Sequence, residues 1–509
     1  MTLIKRDHTQ AEQEQYDLLI IGGGVYGIAL SLVAAQTGLR SLLVEKRDFG
    51  WATSYNSLRT IHGGLRYLQK LDLSRFFESV AERRWFMREF PGLVTPLPCL
   101  MPLYGNGPFR PSVFRVALQL NDLLSTQRNC SVRPEQKLHN GRVISAEEVV
   151  RLFPQVDRQG LKGGAIWYDG GMPDSQLVVM EMLQQACRKG ATALNYTEAE
   201  RLLLENNSVQ GLRCIDLETG TRHTFRAKAV VNAAGPWCRT LAASFDRDDP
   251  ALFRYSIAWN ILLNKPVLST HSVAVKPKAA DANMYFIHAW HGRMLAGTVH
   301  APWSRVEDTP MPTQEDIDKY LADLNCAVPG LHAQRQDILH IYSGLLPVQE
   351  QGTNLLSDRE VIKDHGRANG PQGLYSISGV KFTTARRVAE KTIKIVFPEK
   401  TPFSADCTRR QHAPMLDHLE TKFAYDWQPD DTSGEKDDSG WQETLSAIIG
   451  EQAVCHLDDL IIRRTTIGDN PSRAMQAAPT ISRLFPWDEE RRNQEIARLR
   501  EYFLSRTPG

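Results

Sequence analysis

Tyr16-Asp-Leu-Leu-Ile-Ile-Gly-Gly-Gly-Val-Tyr-Gly-Ile-Ala-Leu-Ser-Leu-Val-Ala-Ala-Gln-Thr-Gly38 is the stretch that decides the fold. Leu18 to Ile21 is apolar on both faces, which reads as a buried parallel strand. Gly22, Gly24 and Gly27 then form G-x-G-x-x-G at a strand-to-helix turn. The first glycine permits the tight turn, the second lets a pyrophosphate approach the backbone, and the third lets helix and strand pack closely. An apolar helix is predicted from about Val25 to Gln36, closed by Gly38. Its N-terminus offers free N–H groups and a positive dipole end to phosphate. Ser41-Leu-Leu-Val-Glu45 reads as the next strand, and its terminal carboxylate is placed to accept hydrogen bonds from a ribose. Together these make a complete β-α-β dinucleotide-binding unit.

The chain around it has 509 residues, 42% hydrophobic and 23% charged, with a formal net charge of +1. That length suggests about three domains and leaves ample chain for a core without disulfide or metal staples. Balanced charge gives no global field for nucleic acid, so no nucleic-acid partner is expected. The eight cysteines are scattered without a C-x-x-C pair, which fits reduced thiols and a cytoplasmic location, with no metal site. Met1 to Gln15 reads as a polar tail without the apolar core of a signal peptide. No stretch approaches the ~20 apolar residues of a spanning helix.

Further along, Ala227 to Gly235 reads as another buried strand running into a glycine turn, and Tyr285-Phe-Ile-His288 and Met294-Leu-Ala-Gly-Thr298 as antiparallel strands of a different sheet. Asp426 to Asp438 is polar and acidic, as a linker or exposed loop would be. Helical periodicity from Trp441 to Leu504 points to a small all-helical C-terminal domain.

Ala52-Thr-Ser-Tyr-Asn-Ser57, Ile61-His-Gly-Gly-Leu-Arg-Tyr67, Gly235-Pro-Trp237 and Gly379-Val-Lys-Phe-Thr-Thr384 follow in order. With Asp169, Asp174-Ser-Gln-Leu177, Ile341-Tyr-Ser-Gly344 and Leu457-Asp-Asp-Leu-Ile-Ile-Arg-Arg-Thr465, they resemble the FAD-dependent glycerol-3-phosphate dehydrogenase family, within the glycine/D-amino-acid oxidase group of flavoproteins. The resemblance implies a Rossmann-like FAD-binding α/β domain interleaved with an antiparallel β-sheet substrate domain, plus a C-terminal helical domain. It implies an FAD-dependent oxidoreductase over residues 16–404, with FAD-binding segments near 16–95, 165–250 and 340–396. Substrate segments fall near 96–164 and 251–339, and the helical domain over 405–509.

By the same resemblance FAD, not NAD, is the cofactor. Gly22, Gly24, Gly27 and Glu45 hold its ADP half; Thr53, Ser54 and Ser57 line the pyrophosphate and flavin side; Ala234 and Gly235 end a strand beneath it. Gly379 opens the segment in which Lys381, Phe382, Thr383 and Thr384 face the flavin pyrimidine edge. Backbone N–H groups and a lysine there suit the negative charge that hydride arrival at N5 leaves near N1. His62, Arg66 and Tyr67 fall near the flavin and the anionic end of the substrate. Arg66 can grip that end with its planar fork, and a base such as His62 takes the hydroxyl proton. Electrons leave to quinone or oxygen, and a homodimer is compatible with the family.

Two positions depart from the family. It usually carries an arginine at the position of Leu346, and losing one charge-assisted phosphate contact costs on the order of 2–3 kcal/mol. At Ile257-Ala-Trp-Asn260 it typically has a Lys-Gly pair, so Trp259 is expected to make a bulkier, less basic substrate wall. Three readings follow: a glycerol-3-phosphate dehydrogenase, a related oxidase of a bulkier hydroxy metabolite or amine, and a non-catalytic protein that keeps FAD for its fold. Phe109, Val113, Val116, Leu120 and Leu124 recur at helical spacing beside Arg110, Arg115 and Arg128. Such a basic amphipathic helix suits either a membrane surface or the protein core.

Overall fold

The computed structural model describes residues 4–105, 107–277, 283–400, 423–429 and 440–507. Seven strands frame the site: β1 (Gln15–Ile21), β2 (Ser41–Val44), β3 (Gly163–Gly171), β4 (Arg222–Asn232), β5 (Tyr255–Leu263), β6 (Arg293–Pro302) and β7 (Ile338–Pro347). Five helices accompany them: α1 (Val25–Gln36), α2 (Leu65–Gln69), α3 (Leu73–Glu89), α4 (Pro111–Leu124) and α5 (Ala385–Val396).

Because neither face of β1 tolerates water, it lies inside a sheet, parallel to β4 on one side and β2 on the other. Across this first sheet the order is Val361–Asp364, Leu374–Ser378, β4, β1, β2, Thr192–Leu194. Ile21 stands opposite both Asn232 and Val44, so three strands end at one level and open the crevice where a doubly wound sheet binds its ligand. Helix α1 is apolar all round, since it is sandwiched between this sheet, α5 and the helix Ser175–Arg188. Asp174 caps that last helix by accepting from the Gln176 and Leu177 amides, at 2.7 and 3.3 Å.

The second sheet runs β7, β5, β6, Tyr285–Trp290, Ser272–Val275, Thr95–Leu103, β3, Thr60–Ile61. Period-two alternation on β5 sends Ile257, Trp259, Ile261 and Leu263 into one core with Val273, Ile287 and Leu324. Ala258 and Asn260 face the other way, toward the first sheet's crevice. Interleaving is as expected, but two borders move. β3 and β7, expected within FAD-binding segments beginning near 165 and 340, are strands of this second sheet.

The C-terminal region is helical, with helices Gly440–Glu451, Pro471–Ile481 and Glu489–Leu504 around Leu445, Leu460, Ile461 and Leu499. Residues 405–422 and the acidic stretch 430–438 lie outside the described residues. A turn at Asp459–Arg464 docks this region on the loop after β2. Asp48 accepts from Arg463 Nε and, bidentately, from Arg464, each bond at 2.7 Å. Arg463 also donates to Asp458 and Asp459, at 2.6 and 2.7 Å. Burial opposes ionisation of Asp48, but Arg464 and Arg463 outweigh it and hold the carboxyl below its usual range.

Candidate active site

The glycine turn is built so tightly that side chains are excluded. A Cβ on Gly22, whose φ is +106°, would stand 2.7 Å from the Ala233 carbonyl oxygen, and one on Gly27 would stand 1.9 Å from that of Gly22. Gly24 caps α1 without a side chain, and Ser54 Oγ accepts from the Val25 amide at 2.9 Å. The helix start therefore faces the crevice with little of its own chain over it. Glu45 is 7% exposed and accepts from the Gly23 amide (2.6 Å), the Arg47 amide (2.9 Å) and Trp51 Nε1 (3.0 Å). Burial raises its carboxyl above the usual range against the pull of these donors. Glu45 thus pins the glycine turn while lining the crevice.

One cavity of about 1450 Å³ continues from this turn to the second sheet. Gly22, Gly24, Glu45, Thr53, Ser54, Ser57, Ala234 and Gly235 line it at one side, and Gly379 and Lys381 to Thr384 at another. Gly27 is not on its wall; it acts by letting α1 lie against the turn. Lys381 precedes a tight turn, Phe382–Thr384, that leads into α5. Tyr26 locks this segment: its Oη donates to the Lys381 carbonyl at 2.8 Å and accepts from the Lys381 amide at 3.1 Å. A Cβ on Gly379 would fall 2.0 Å from the Tyr26 ring, so only glycine fits there. Two helix starts and one lysine on a long, partly apolar cavity fit FAD, whose pyrophosphate and electron-accepting ring need such donors.

At the far end, α2 and the strand before it bring His62, Arg66 and Tyr67 to the cavity wall. His62 Nδ1 lies 3.2 Å from Asp169 Oδ2, with half of the imidazole exposed. Asp169, from β3, also accepts from the Gly63 amide at 2.7 Å and from Arg83 Nη1 at 3.0 Å. Burial works against this carboxylate, yet His62, Arg83 and the Gly63 amide win and hold it at about 2. It is ionised at neutral pH and holds the imidazole by Nδ1, which leaves Nε2 without a partner among the described residues. Lys381 Nζ sits 4.4 Å over the Tyr67 ring. Burial and, after it, the charge of Arg66 lower Lys381 to about 8. Among the described residues, neither Arg66 nor Lys381 pairs with a carboxylate. Two cations without acidic partners in a recessed cavity attract an anion.

Trp259 is a correction. It is 1% exposed and packs in the core behind β5, so the cavity meets Ala258 and Asn260 instead. The expected bulky wall is absent, because Trp259 and Ile257 fall on the wrong phase of the strand's alternation. Leu346 does line the cavity. Sequence reading passed over Tyr26, Arg83 and His300. Tyr26 stands inside the glycine motif, where an aromatic residue at an unconstrained position was the available signal; Arg83 and His300 carry no local signal.

The FAD-dependent oxidoreductase family, DAO, matches residues 17–393. The aerobic glycerol-3-phosphate dehydrogenase of Staphylococcus aureus (strain USA300) is 29% identical over 401 residues, 78% of this chain and 70% of that one. The X-ray structure of a glycerol-3-phosphate dehydrogenase from Bacillus halodurans complexed with FAD shares the fold with a TM-score of 0.72 at 21% identity, over 98% of this chain and 97% of that chain. L-α-glycerophosphate oxidase from Mycoplasma pneumoniae, with FAD bound, matches with a TM-score of 0.54 at 16% identity, over 79% of this chain and 100% of that one. With the glycine turn, the crevice and most of its length accounted for in this way, the chain belongs to the DAO family of FAD-dependent oxidoreductases.

Proposed function

We propose that this enzyme oxidises a small hydroxy compound with an anionic end, glycerol 3-phosphate first among them, at its CH–OH carbon. One observation carries the reading: two cations that have no acidic partner among the described residues, and a carboxylate-held imidazole, face the same cavity. Bound FAD supplies the two-electron acceptor for the hydride that leaves the carbon. Arg66 binds the anionic end with its guanidinium fork, and Lys381 adds charge beside it. His62 Nε2 takes the hydroxyl proton, while Asp169 fixes the tautomer and stabilises the imidazolium that forms. Met101, Trp167 and Phe286 supply apolar wall that keeps water from the reacting carbon. Turnover with an artificial acceptor tests this on glycerol 3-phosphate, glycerol and glycine. The anionic alcohol is expected to be used best; preferential use of glycine would overturn the reading in favour of amine oxidation.

The charge on Lys381 sets a pH limit. Below about 8 the ammonium is present, and as pH rises through that value the charge and its pull on an anion are lost. KM for an anionic alcohol is therefore expected to rise above pH 8 in the wild type. Lys381→Arg, charged throughout, should remove that limb; a limb that persists would assign it to another group.

An apolar patch beside the cavity supports delivery of electrons to a quinone at a membrane surface. Val116 is 64% exposed and Leu123 69% exposed on α4, which packs against α2, and Leu71 on the loop after α2 is 79% exposed. Arg110 and Arg115 flank them, while Lys70 and Asp72 on the same loop and Arg75 in the first turn of α3 line the cavity. Arg128 does not join them: it is buried and bonded to Asn140 and Ser125. Leu124 faces inward onto Leu68, Phe76 and Val80. No helix among the described residues is long and apolar enough to cross a membrane. The double variant Val116→Glu, Leu123→Glu is expected to lower cosedimentation with anionic vesicles about tenfold without changing turnover with a soluble acceptor. Equal cosedimentation of both proteins would remove the patch from the account.

A further inference from the structure

Three adjacent strands of the second sheet make the floor of the cavity. Register sets Gly344 of β7, Ala258 of β5 and His300 of β6 in one row, since Ala258 is opposite both of the others. The same alternation brings Thr298, Asn260 and Leu346 to the cavity face. Gly344 and Ala258 are too small to reach across, and Leu346 carries no polar atom. Thr298 Oγ1 donates to Asn260 Oδ1 at 2.8 Å, and Asn260 Nδ2 donates to the Asn56 carbonyl at 3.0 Å. Their polar groups are committed to the wall. His300 is the one titratable side chain in this set, and among the described residues its ring has no hydrogen-bond partner.

The ring's two nitrogens differ. Among the described residues Nδ1 is buried without a partner, whereas Nε2 is not buried in this way. A proton on Nδ1 would be stranded in a dry site, so the favoured tautomer carries it on Nε2, toward the cavity. Burial, and after it the charge of Arg66, lower His300 to about 4, so the ring is neutral at physiological pH. The floor thus offers a directional N–H donor without a second full charge.

We infer that His300 is a specificity-determining contact that donates from Nε2 to the oxyanion end of the substrate, beside Arg66. This deepens the reading proposed above and rests on it. A guanidinium and a neutral imidazole N–H converging on one group suit an oxyanion, either a phosphate or a carboxylate. The cation supplies attraction, and the histidine supplies direction. A neutral alcohol of the same length gains nothing from the contact.

Two measurements on the FAD-loaded protein test this. Discrimination, taken as kcat/KM for glycerol 3-phosphate over that for glycerol, is expected to fall at least tenfold in His300→Ala, as for loss of a hydrogen bond to a charged group. His300→Gln, which keeps an N–H donor, should retain most of it. Damage to the fold would lower both substrates alike and leave the ratio unchanged, which would overturn the proposal. Titration with inorganic phosphate or with acetate, read as a change in flavin absorption, needs no turnover. The anion that perturbs the wild type identifies the tetrahedral or the planar class, and its binding should weaken about tenfold in His300→Ala. Equal binding to both proteins, or no response of the wild type to either anion, would overturn the contact. If glycerol 3-phosphate fails to reduce the flavin while anion binding still depends on His300, the proposed reaction falls and the contact stands.

Discussion

Gly27→Ala is expected to yield protein that has lost most of its flavin, with FAD affinity reduced about a hundredfold or more. The new methyl would stand 1.9 Å from the Gly22 carbonyl oxygen and 3.3 Å from Ile20 Cγ2. Both obstacles belong to the turn and strand that set the helix in place, so the helix start must move. Losing two N–H bonds to phosphate, at about 1.5 kcal/mol each, gives about 3 kcal/mol, or about a hundredfold. Gly38→Ala is the control. Its φ is +77°, but a methyl there meets nothing within 4 Å, so the cost is backbone strain alone, about 1 kcal/mol, with flavin retained. The ratio of flavin to protein absorbance, with FAD titration of the apoprotein, separates the two. Normal flavin content in Gly27→Ala would show that the turn can relax without releasing the cofactor.

His62→Ala is expected to slow reduction of the flavin by substrate about 10²–10⁴-fold while leaving flavin content intact, the usual span for loss of a positioned general base. Half the imidazole is exposed, so its removal leaves no core cavity. Asp169→Asn should lower the same rate less, yet destabilise the fold more. Arg83 is buried against this carboxylate, and removing its partner strands a buried charge at about 3–5 kcal/mol. With Asp169 held at about 2 against an ordinary 3.8, its stabilising contribution is present above 3.8 and lost as pH falls through 2. Stopped-flow reduction rates and thermal midpoints separate the two roles. A His62→Ala protein reduced at the wild-type rate would remove the histidine from the chemistry.

The β-α-β unit was legible because its signals are local: an apolar run, three glycines at fixed spacing and an acidic strand end. The second sheet was harder. β3 and β7 are buried over most of their length, so their sequences do not announce which sheet they join. Trp259 misled for a related reason. Two neighbours on a strand face opposite ways, and which one meets the cavity depends on pairing with β6 and β7, far along the chain. The candidate site divides the same way. Arg66, Tyr67 and His62 sit in one short motif, whereas Asp169 reaches His62 from 107 residues away. Arg83 and His300 reach the site only through packing and strand register, which no local pattern encodes.

The most direct test of the account is the visible spectrum of the purified protein before and after anaerobic addition of glycerol 3-phosphate. The account predicts an oxidised flavin band that bleaches on addition, far faster in the wild type than in His62→Ala. A flavin band that persists in the wild type at saturating glycerol 3-phosphate would contradict the proposed reaction.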